Sequence, residues 1–310
     1  MRSAAGRSPL YDSLWRRLAD ETFVDELVEG GYRWDTPLRL VGGLHFLVLG
    51  GDASWDDIDG ALRAHAAFLR RFVAEQGVQT NEVQRSWMLL PCFLEASRRT
   101  DVETIDVIEL GPSAGLNLIW DRYRYAYDLG RWGRPDSPLL LSGEERGRVP
   151  ASLLARRPRV RGRVGIDRSP IDVTTEEGAR LLKAFVWPDQ VWRLELIDHA
   201  IAALREKPPE LVRGDVVDEL PRRLRARRDD ALTLVFQTAV LGYVGHEGTQ
   251  RLYAALDAAA ADRAPLAYVG THAPGPDVHT HYALALRVWP GEREFVAEAD
   301  FHGAWLDWRL

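Results

Sequence analysis

Two different spacings of hydrophobic residues divide this chain of 310 residues. Up to about residue 100, apolar side chains recur at the spacing of one helix face, as Leu62 and Leu69 do. From Thr104 onward, short apolar runs of strand length alternate with helical segments, which is typical of a parallel sheet flanked by helices. The pattern therefore predicts a helical N-terminal subdomain over residues 1–100 and an α/β domain over residues 101–310.

The boundaries of the predicted elements follow from these spacings. Helical or apolar segments are predicted over residues 9–30, 38–49, 55–76, 81–97, 174–185, 190–204 and 248–261. Strands are predicted over residues 104–110, 163–167, 210–215, 231–238, 266–270, 283–288 and 294–298. Residues 128–160, which are rich in Gly, Pro and Arg, are predicted to be an insertion with one hairpin. The order of elements indicates a mostly parallel sheet with an antiparallel edge.

A glycine-rich turn follows the first predicted strand. The turn carries Gly111, Ser113 and Gly115, which is the spacing G-x-G-x-G with Ser in the middle, and a helix is predicted to begin near Ala114. In nucleotide-binding α/β folds such a turn lets the backbone approach a ligand closely. An ordinary strand–turn–helix, with small residues chosen for packing, explains the same stretch.

Polar or acidic residues stand at the ends of four predicted strands. Because open α/β sheets bind ligands at the carboxyl ends of their strands, these residues are candidates for a common site. Asp167 follows the glycine turn by about 50 residues instead of the roughly 20 of the usual ribose-binding acid, and the insertion has to absorb the difference. The strand-end candidates are Glu109, Asn117 just after the turn, Asp167, Gly214 with Asp215, and Gln237 with Thr238.

The link before the fourth predicted helix carries a second group of polar residues. Asn81 and Glu82 are residue types that cap a helix N-terminus. Alternatively, together with Arg85, they project polar groups toward the glycine turn. His45 lies inside an apolar segment, where it is either a core residue or a base.

Composition and charge narrow the class of partner. The net charge of −6 disfavours electrostatic binding to nucleic acid or to an anionic membrane. A basic run from Arg222 to Arg228 is explained by a solvated helix face beside two aspartates. A single cysteine, Cys92, excludes an internal disulfide, and residues 1–10 lack the apolar core of a signal peptide. These features predict a cytoplasmic protein that acts on a small molecule; they carry no signal for an oligomeric state.

Several motifs in register resemble one protein family. They are Gln79-Thr80-Asn81-Glu82, Glu109–Leu118, Gly165-Ile166-Asp167 with Pro170-Ile171-Asp172, Val186–Gln190 and Val235–Val244. On these motifs the chain is identified as a member of an uncharacterised bacterial family common in actinobacteria, domain of unknown function 2332. The resemblance implies a helical N-terminal part and a Rossmann-like, methyltransferase-type part. The C-terminal part of the chain resembles the class I methyltransferases that use S-adenosylmethionine.

The resulting hypothesis is methyl transfer from S-adenosylmethionine to a small molecule. In the arrangement that the sequence resembles, the first strand and turn hold the methionine part, the second strand's acid holds the ribose, and a residue after the third strand holds the adenine. The predicted cofactor residues are Glu109, Gly111, Ser113, Gly115, Asn117, Asp167, Gly214 and Asp215. Asn81, Arg85, Gln237 and Thr238 are expected to bind the acceptor, and Glu82, Tyr243 or His45 to orient or deprotonate it.

Three alternatives from other classes stay open. A nicotinamide-dependent oxidoreductase shares a glycine turn and a ribose acid, although its turn is spaced G-x-G-x-x-G. A descendant of the methyltransferase fold that binds a ligand without catalysis fits Ser113 and the long insertion. A metal hydrolase would use His272, Asp277, His279 and His281, whose spacing matches no zinc site, and no metal is predicted.

Overall fold

The chain folds into two compact units. The computed structural model describes residues 8–11, 13–14, 35–262, 264–275, 278 and 280–310. One unit combines residues 1–80 with residues 171–201, and the other combines residues 81–170 with residues 202–310. Most of the first predicted helix, over residues 9–30, lies outside the described residues.

The elements are numbered here in chain order. The helices are α1 (Thr36–Gly50), α2 (Ile58–Ala64), α3 (Ala66–Glu75), α4 (Arg85–Thr100), α5 (Ala151–Leu154), α6 (Glu176–Ala184), α7 (Val191–Glu206), α8 (Val216–Arg225) and α9 (Leu241–Ala259). The strands are β1 (Thr104–Leu110), β2 (Arg124–Tyr127), β3 (Gly130–Gly133), β4 (Leu140–Leu141), β5 (Glu144–Gly147), β6 (Arg159–Asp167), β7 (Glu210–Arg213), β8 (Leu232–Gln237), β9 (Leu266–His272), β10 (Tyr282–Val288), β11 (Glu294–Ala299) and β12 (Trp305–Trp308). Short 3₁₀ helices cover Trp55–Asp57, Leu116–Arg122 and Ala260–Asp262.

The two units divide the chain differently from the predicted boundary at residue 100. Helix α4 packs on β8, β9 and β10, and therefore belongs to the unit that contains the sheet. Helix α6 packs instead on α1, so a later part of the chain returns to the N-terminal helices. Gly42 permits this return, because a β-carbon there would lie 2.8 Å from a ring atom of Phe185 just after α6.

A nine-stranded sheet organises the second unit. Its order is β5-β12-β11-β10-β9-β8-β1-β6-β7, and the five strands from β9 to β7 run parallel. The fold is therefore mixed α/β with a large, mostly parallel sheet. From β1 the chain proceeds to β6 and β7 on one side and then to β8 and β9 on the other, so the strand order reverses at β1. Such a reversal is the place where open α/β sheets form a ligand-binding crevice, at the carboxyl ends of the strands.

Opposite faces of the sheet are covered by different helices. Ile108 of β1 packs in a core with α8 and α9 through Val217 and Leu252. Side chains alternate along a strand, so the next residue, Glu109, faces the other way, and its register partner on β8 is Phe236. The Phe236 ring contacts Phe93 of α4, with the ring centroids 5.1 Å apart. Glu109 therefore lies on the face that α4 covers.

The hairpin of β10 and β11 is confirmed, and two strands that were not predicted lie beyond it at the same edge of the sheet. Residues 283–288 and 294–298 pair in antiparallel fashion, as expected. Strands β12 and β5 extend this edge, and β5 comes from the predicted insertion. The insertion also contains β3, which forms a hairpin with β2; with β4 they build a small separate sheet.

Backbone strain is concentrated where β1 and β8 end. Among the described residues three non-glycine residues have positive φ, and one of them, Asp101, is the ordinary left-handed residue at the end of α4. The other two are Ser113 (φ 54°) after β1 and Ala239 (φ 63°) after β8, which are neighbouring strands. A left-handed conformation is costly for Ala, and here it is held by a 2.8 Å hydrogen bond from the Ala239 N–H to the Thr271 hydroxyl.

The same substitution is expected to have opposite effects at two alanines. Ala239→Gly relieves the left-handed strain and should raise the free energy of unfolding by about 0.5–1 kcal/mol. Ala254→Gly, at an exposed position inside α9, should lower it by about 0.5–1 kcal/mol because Gly is a poor helix former. Urea unfolding of both variants measures this, and a loss of stability in Ala239→Gly would contradict the strain.

Candidate functional site

The carboxyl ends of β1, β6, β7, β8 and β9 bring most of the predicted site residues into the second unit. Glu109 is the penultimate residue of β1 and the glycine turn follows that strand; Asp167 ends β6, and Gln237 ends β8 with Thr238 directly after it. The segment before α4, from Asn81 to Arg85, joins them through hydrogen bonds to the turn and to β8.

Glu109 is a buried carboxyl whose charge is not compensated. It is 1% exposed, and its Oε2 atom makes no hydrogen bond among the described residues. Burial raises the pKa of this carboxyl well above its usual range; the nearby charge of Asp167 adds to the rise, and Arg85 opposes it. Glu109 therefore holds its proton to higher pH than an exposed carboxyl does, and a nearby cation would favour its ionised form.

Arg85 is anchored next to this carboxyl. It donates from Nε to the Phe301 carbonyl at 2.9 Å and from Nη1 to the Thr238 hydroxyl at 3.4 Å, while Nη2 makes no hydrogen bond within the described part of the chain. Its guanidinium lies 5.8 Å from the centre of the Tyr282 ring. These contacts position one buried cation near one buried acid and leave a donor for a ligand.

Asp167 holds the turn after β1. Its Oδ2 accepts the Ser113 N–H at 2.9 Å, and its Oδ1 accepts the Ser169 N–H at 2.8 Å. Each carboxylate oxygen has a second lone pair, so the group can still accept hydrogen bonds from a ligand.

Asn81 holds the other end of the turn instead of capping a helix. Its Oδ1 accepts the Leu116 N–H at 2.8 Å, and α4 begins four residues later, at Arg85. The helix predicted near Ala114 is a 3₁₀ helix, Leu116–Arg122, entered through left-handed Gly115. The prediction of an α-helix there was wrong, because the segment has 3₁₀ geometry and its backbone leaves the helical region at Ile119 (φ −104°, ψ 26°).

Two further side chains at the turn carry buried polar atoms without partners. The Ser113 hydroxyl and the Asn117 Nδ2 make no hydrogen bond among the described residues, although both side chains are almost fully buried. The Asn117 Oδ1 accepts the Ser86 hydroxyl at 2.7 Å, which fixes the orientation of its amide. With Glu109, three predicted cofactor residues thus retain hydrogen-bonding capacity that the described chain does not use.

Protein side chains approach both turn glycines closely. A β-carbon on Gly111, whose φ is 71°, would lie 2.5 Å from Cγ2 of Val240. One on Gly115 would lie 3.1 Å from Leu211. Glycine is required here by packing against the chain itself, as the structural explanation of the motif predicts.

Gly214 and Asp215 serve the local structure. Asp215 caps α8 by accepting the Val217 N–H at 2.8 Å, and it pairs with Arg168 at 2.5 Å. Burial raises the pKa of Asp215, but the Arg168 hydrogen bond and the backbone N–H outweigh it, so the pKa falls below its usual value. The Gly214 N–H donates to the Asp167 carbonyl at 2.9 Å, which ties β7 to β6.

The two residues that end β8 have different surroundings. The Gln237 amide is fully engaged: it donates to the Thr271 carbonyl at 2.9 Å and to the Tyr268 hydroxyl at 3.2 Å, and accepts the Val240 N–H at 3.3 Å. Gln237 therefore joins β8 to β9, whereas Thr238 contacts Arg85 and stays at the site.

A cavity of about 290 Å³ opens beside these strand ends. It is lined by Ala239, Leu241, Gly242, Thr271, His272, Ala273 and Tyr282. The His272 Nε2 lies 3.5 Å from the Tyr253 hydroxyl, and its Nδ1 makes no hydrogen bond among the described residues. Burial, assisted by the charge of Arg293, lowers the pKa of His272 to about 4, so the imidazole is neutral at pH 7. Sequence reasoning considered His272 only as a metal ligand, although its place at the end of a strand was a usable signal.

The three predicted catalytic residues occupy different surroundings. Glu82 is buried in the segment before α4, and Tyr243 is 62% exposed at the start of α9. His45 belongs to the other unit, where its Nδ1 lies 3.3 Å from the Ala184 carbonyl and its ring contacts Trp55. Burial lowers the pKa of His45 to about 4, as expected for a core histidine.

The proposed metal ligands divide between described and undescribed residues. Asp277 and His279 lie outside the described residues, and His281 lies 3.3 Å from Glu298. Within the described ranges, no group of three or more His, Cys, Asp or Glu side chains is placed to hold a metal ion. None of the described helices is long and apolar enough to cross a membrane.

Comparison with protein-family models gives a match over almost the whole chain. A family model described as an uncharacterised protein conserved in bacteria, DUF2332, matches residues 1–308. No curated protein matches the chain.

Glu109→Gln is expected to change how stability depends on pH. The folded protein holds the Glu109 proton to higher pH than the unfolded chain does, so the free energy of unfolding falls as pH rises above about 4.5, until the folded pKa is passed. The slope from this one group is at most about 1.4 kcal/mol per pH unit. The Gln variant should lack this decline and become the more stable protein at pH 7.

Urea unfolding between pH 4 and pH 8 measures the difference. Glu103→Gln, at an exposed position just before β1, is the matched control and should follow the wild type. Parallel pH curves for wild type and Glu109→Gln would show that Glu109 is ionised in the folded protein.

Proposed function

The chain belongs to the bacterial family DUF2332, and we propose that it is an S-adenosylmethionine-dependent methyltransferase acting on a small molecule. The observation that carries the proposal is Glu109. A buried carboxyl with a partnerless oxygen stands at the end of the central strand, where the strand order reverses, and a buried arginine lies near it. A carboxyl and a guanidinium together complement an amino acid with free ammonium and carboxylate groups, which the methionine part of this cofactor presents.

The charges at the turn favour a cationic cofactor over a dinucleotide. A pyrophosphate requires free N–H groups at a helix N-terminus. Here the N–H groups of Ser113 and Leu116 are engaged by Asp167 and Asn81, and no α-helix begins at the turn. The carboxylate of Asp167 would also repel phosphates. A sulfonium cation meets neither obstacle, so these contacts argue against the nicotinamide alternative.

Each of the remaining groups has a role in this proposal. Asp167, with one unused lone pair on each oxygen, would accept hydrogen bonds from the ribose hydroxyls. The Ser113 hydroxyl and the Asn117 Nδ2 would supply polar contacts beside the turn. Gly214 and Asp215 stay candidates for the adenine side, although their observed contacts are explained by capping and by the ion pair with Arg168.

The 290 Å³ cavity is the proposed acceptor site. S-adenosylmethionine supplies a methyl group that its sulfonium already makes electrophilic, and the sulfur keeps the electron pair of the broken carbon–sulfur bond. His272 would take the proton from the acceptor, since the imidazole is neutral and the tautomer that donates from Nε2 to Tyr253 leaves a lone pair on Nδ1. Thr238 and Arg85 would orient the acceptor from the β8 side of the cavity.

A second candidate function is ligand binding without turnover. The glycine turn favours this candidate. The side chains of Val240 and Leu211 pack against its glycines, and the chain itself engages the N–H groups of Ser113 and Leu116. The two candidates agree on a cofactor-sized ligand at Glu109 and differ only in whether a methyl group is transferred.

Cofactor binding is expected to depend on Asp167. Isothermal titration should give micromolar binding of S-adenosylmethionine and S-adenosylhomocysteine and no binding of NAD. Asp167→Asn keeps one oxygen for the turn but loses the charge, and should weaken binding by about tenfold or more. Asp229→Asn, which changes an exposed aspartate, is the matched control. A folded protein that binds neither methyl-donor compound would refute the proposed cofactor.

Methyl transfer is expected to depend on His272. With methyl-labelled S-adenosylmethionine and a bacterial small-molecule extract, the wild type should transfer label to a product. His272→Gln should transfer it about 100-fold to 10,000-fold more slowly, as for loss of a general base, with cofactor affinity unchanged. Tight cofactor binding with no label transferred by the wild type would favour the function without turnover.

A further inference from the structure

A second cavity, of about 350 Å³, lies toward the opposite ends of the parallel strands. Its wall includes Tyr268, whose register partner is Arg287 of β10, and β9 continues past Tyr268 to its carboxyl end at His272. The lining residues are Tyr253, Tyr268, Arg287, Trp289, Glu292 and Arg293. Three aromatic rings and two guanidinium groups surround one space, and of these residues the proposed methyl transfer uses only Tyr253, as the hydrogen-bond partner of His272.

We propose that this cavity binds a small planar aromatic carboxylate. Its ring would lie against Tyr253 and Trp289, and its carboxylate would lie on Arg293. The inference is independent of the proposed cofactor, because none of the six lining residues belongs to that site.

The aromatic wall is held rigidly. The Trp289 Nε1 donates to Asp257 at 3.0 Å, and the Arg287 guanidinium lies 4.4 Å from the centre of the Trp289 ring. Arg287 is itself fixed by a 2.8 Å ion pair with Asp257 and a 3.0 Å hydrogen bond to the Gly291 carbonyl. A preformed aromatic surface binds a flat ligand at low entropic cost.

Of the two arginines, Arg293 is the one whose guanidinium is available to bind a ligand. Arg293 makes no hydrogen bond and no ion pair within the described part of the chain, and its guanidinium lies 5.5 Å from the Tyr253 ring centre. A planar guanidinium backed by an aromatic ring presents its donors for a two-point contact with a carboxylate.

At this cavity, Arg293 is the cation that has no acidic partner within the described part of the chain. Burial raises the pKa of Tyr268 well above its usual value, and among charged side chains the one that acts on it is Arg293, which opposes the rise. Arg287 is neutralised by Asp257, and Glu292 and Arg293 are both exposed at the rim, where water screens their charges. Because the Arg293 guanidinium keeps its donors available, an anion is favoured over a neutral or cationic ring.

Three small probes separate the contributions of ring and charge. Benzoate carries both, benzamide has the ring without the charge, and acetate has the charge without the ring. Isothermal titration of the full chain, with no other ligand added, should show saturable binding of benzoate, with benzamide and acetate each weaker by about tenfold or more.

A pair of arginine variants tests the assigned contact. Arg293→Gln should weaken benzoate binding by about tenfold or more and leave benzamide binding unchanged. Arg131→Gln, which changes an exposed arginine of the β2–β3 hairpin, should bind benzoate like the wild type. Equal binding of benzoate and benzamide, benzoate binding unaffected by Arg293→Gln, or no saturable binding by the folded protein would overturn the inference.

Discussion

Two hydrogen bonds from distant side chains fix the turn after the central strand, and the chemistry available at the sheet edge depends on them. Asp167 accepts the Ser113 N–H, and Asn81 accepts the Leu116 N–H. Together they hold Ser113 in a left-handed conformation and fix the start of the 3₁₀ helix at Leu116. Since these two N–H groups are engaged by the chain, they are not available to a ligand at this edge.

The buried charges determine which ligands the edge can accept. Glu109 lies on the face covered by α4, where its Oε2 has no hydrogen-bond partner among the described residues. Arg85 is close enough to lower its pKa, but hydrogen bonds to Phe301 and Thr238 fix the guanidinium and prevent full pairing. A ligand with a positive group gains the ionised carboxylate, whereas an anion meets two acids. The arrangement is thus selective by charge before any question of shape arises.

The parts of this architecture that depend on local pattern were predictable from sequence. The bounds of β1 are confirmed at Thr104–Leu110, and the strand-end positions of Glu109 and Asp167 followed from apolar runs of strand length.

The features that the sequence could not predict arise from contacts between residues that are far apart in the chain. Asn81 fits a helix cap by its residue type, yet its partner is 35 residues away. Ala239 carries no signal for positive φ, and the low pKa of His272 arises from burial and from Arg293, both set by tertiary packing. Strand β12 was missed because it is only four residues long; it pairs with the predicted β11 and with β5, which comes from an irregular insertion.

Gln237 illustrates why a polar residue at a strand end need not contact a ligand. Its amide makes three hydrogen bonds, to Tyr268, Thr271 and Val240, which use the group completely. Holding Val240 in place also brings its side chain against the turn, since a β-carbon on Gly111 would lie 2.5 Å from it. The end of β8, which was predicted to contact a ligand, therefore packs against the glycine turn and supports it. The groups left with unused capacity are those that this framework positions but does not bond, namely Glu109, Ser113 and Asn117 at the turn and His272 beside the cavity.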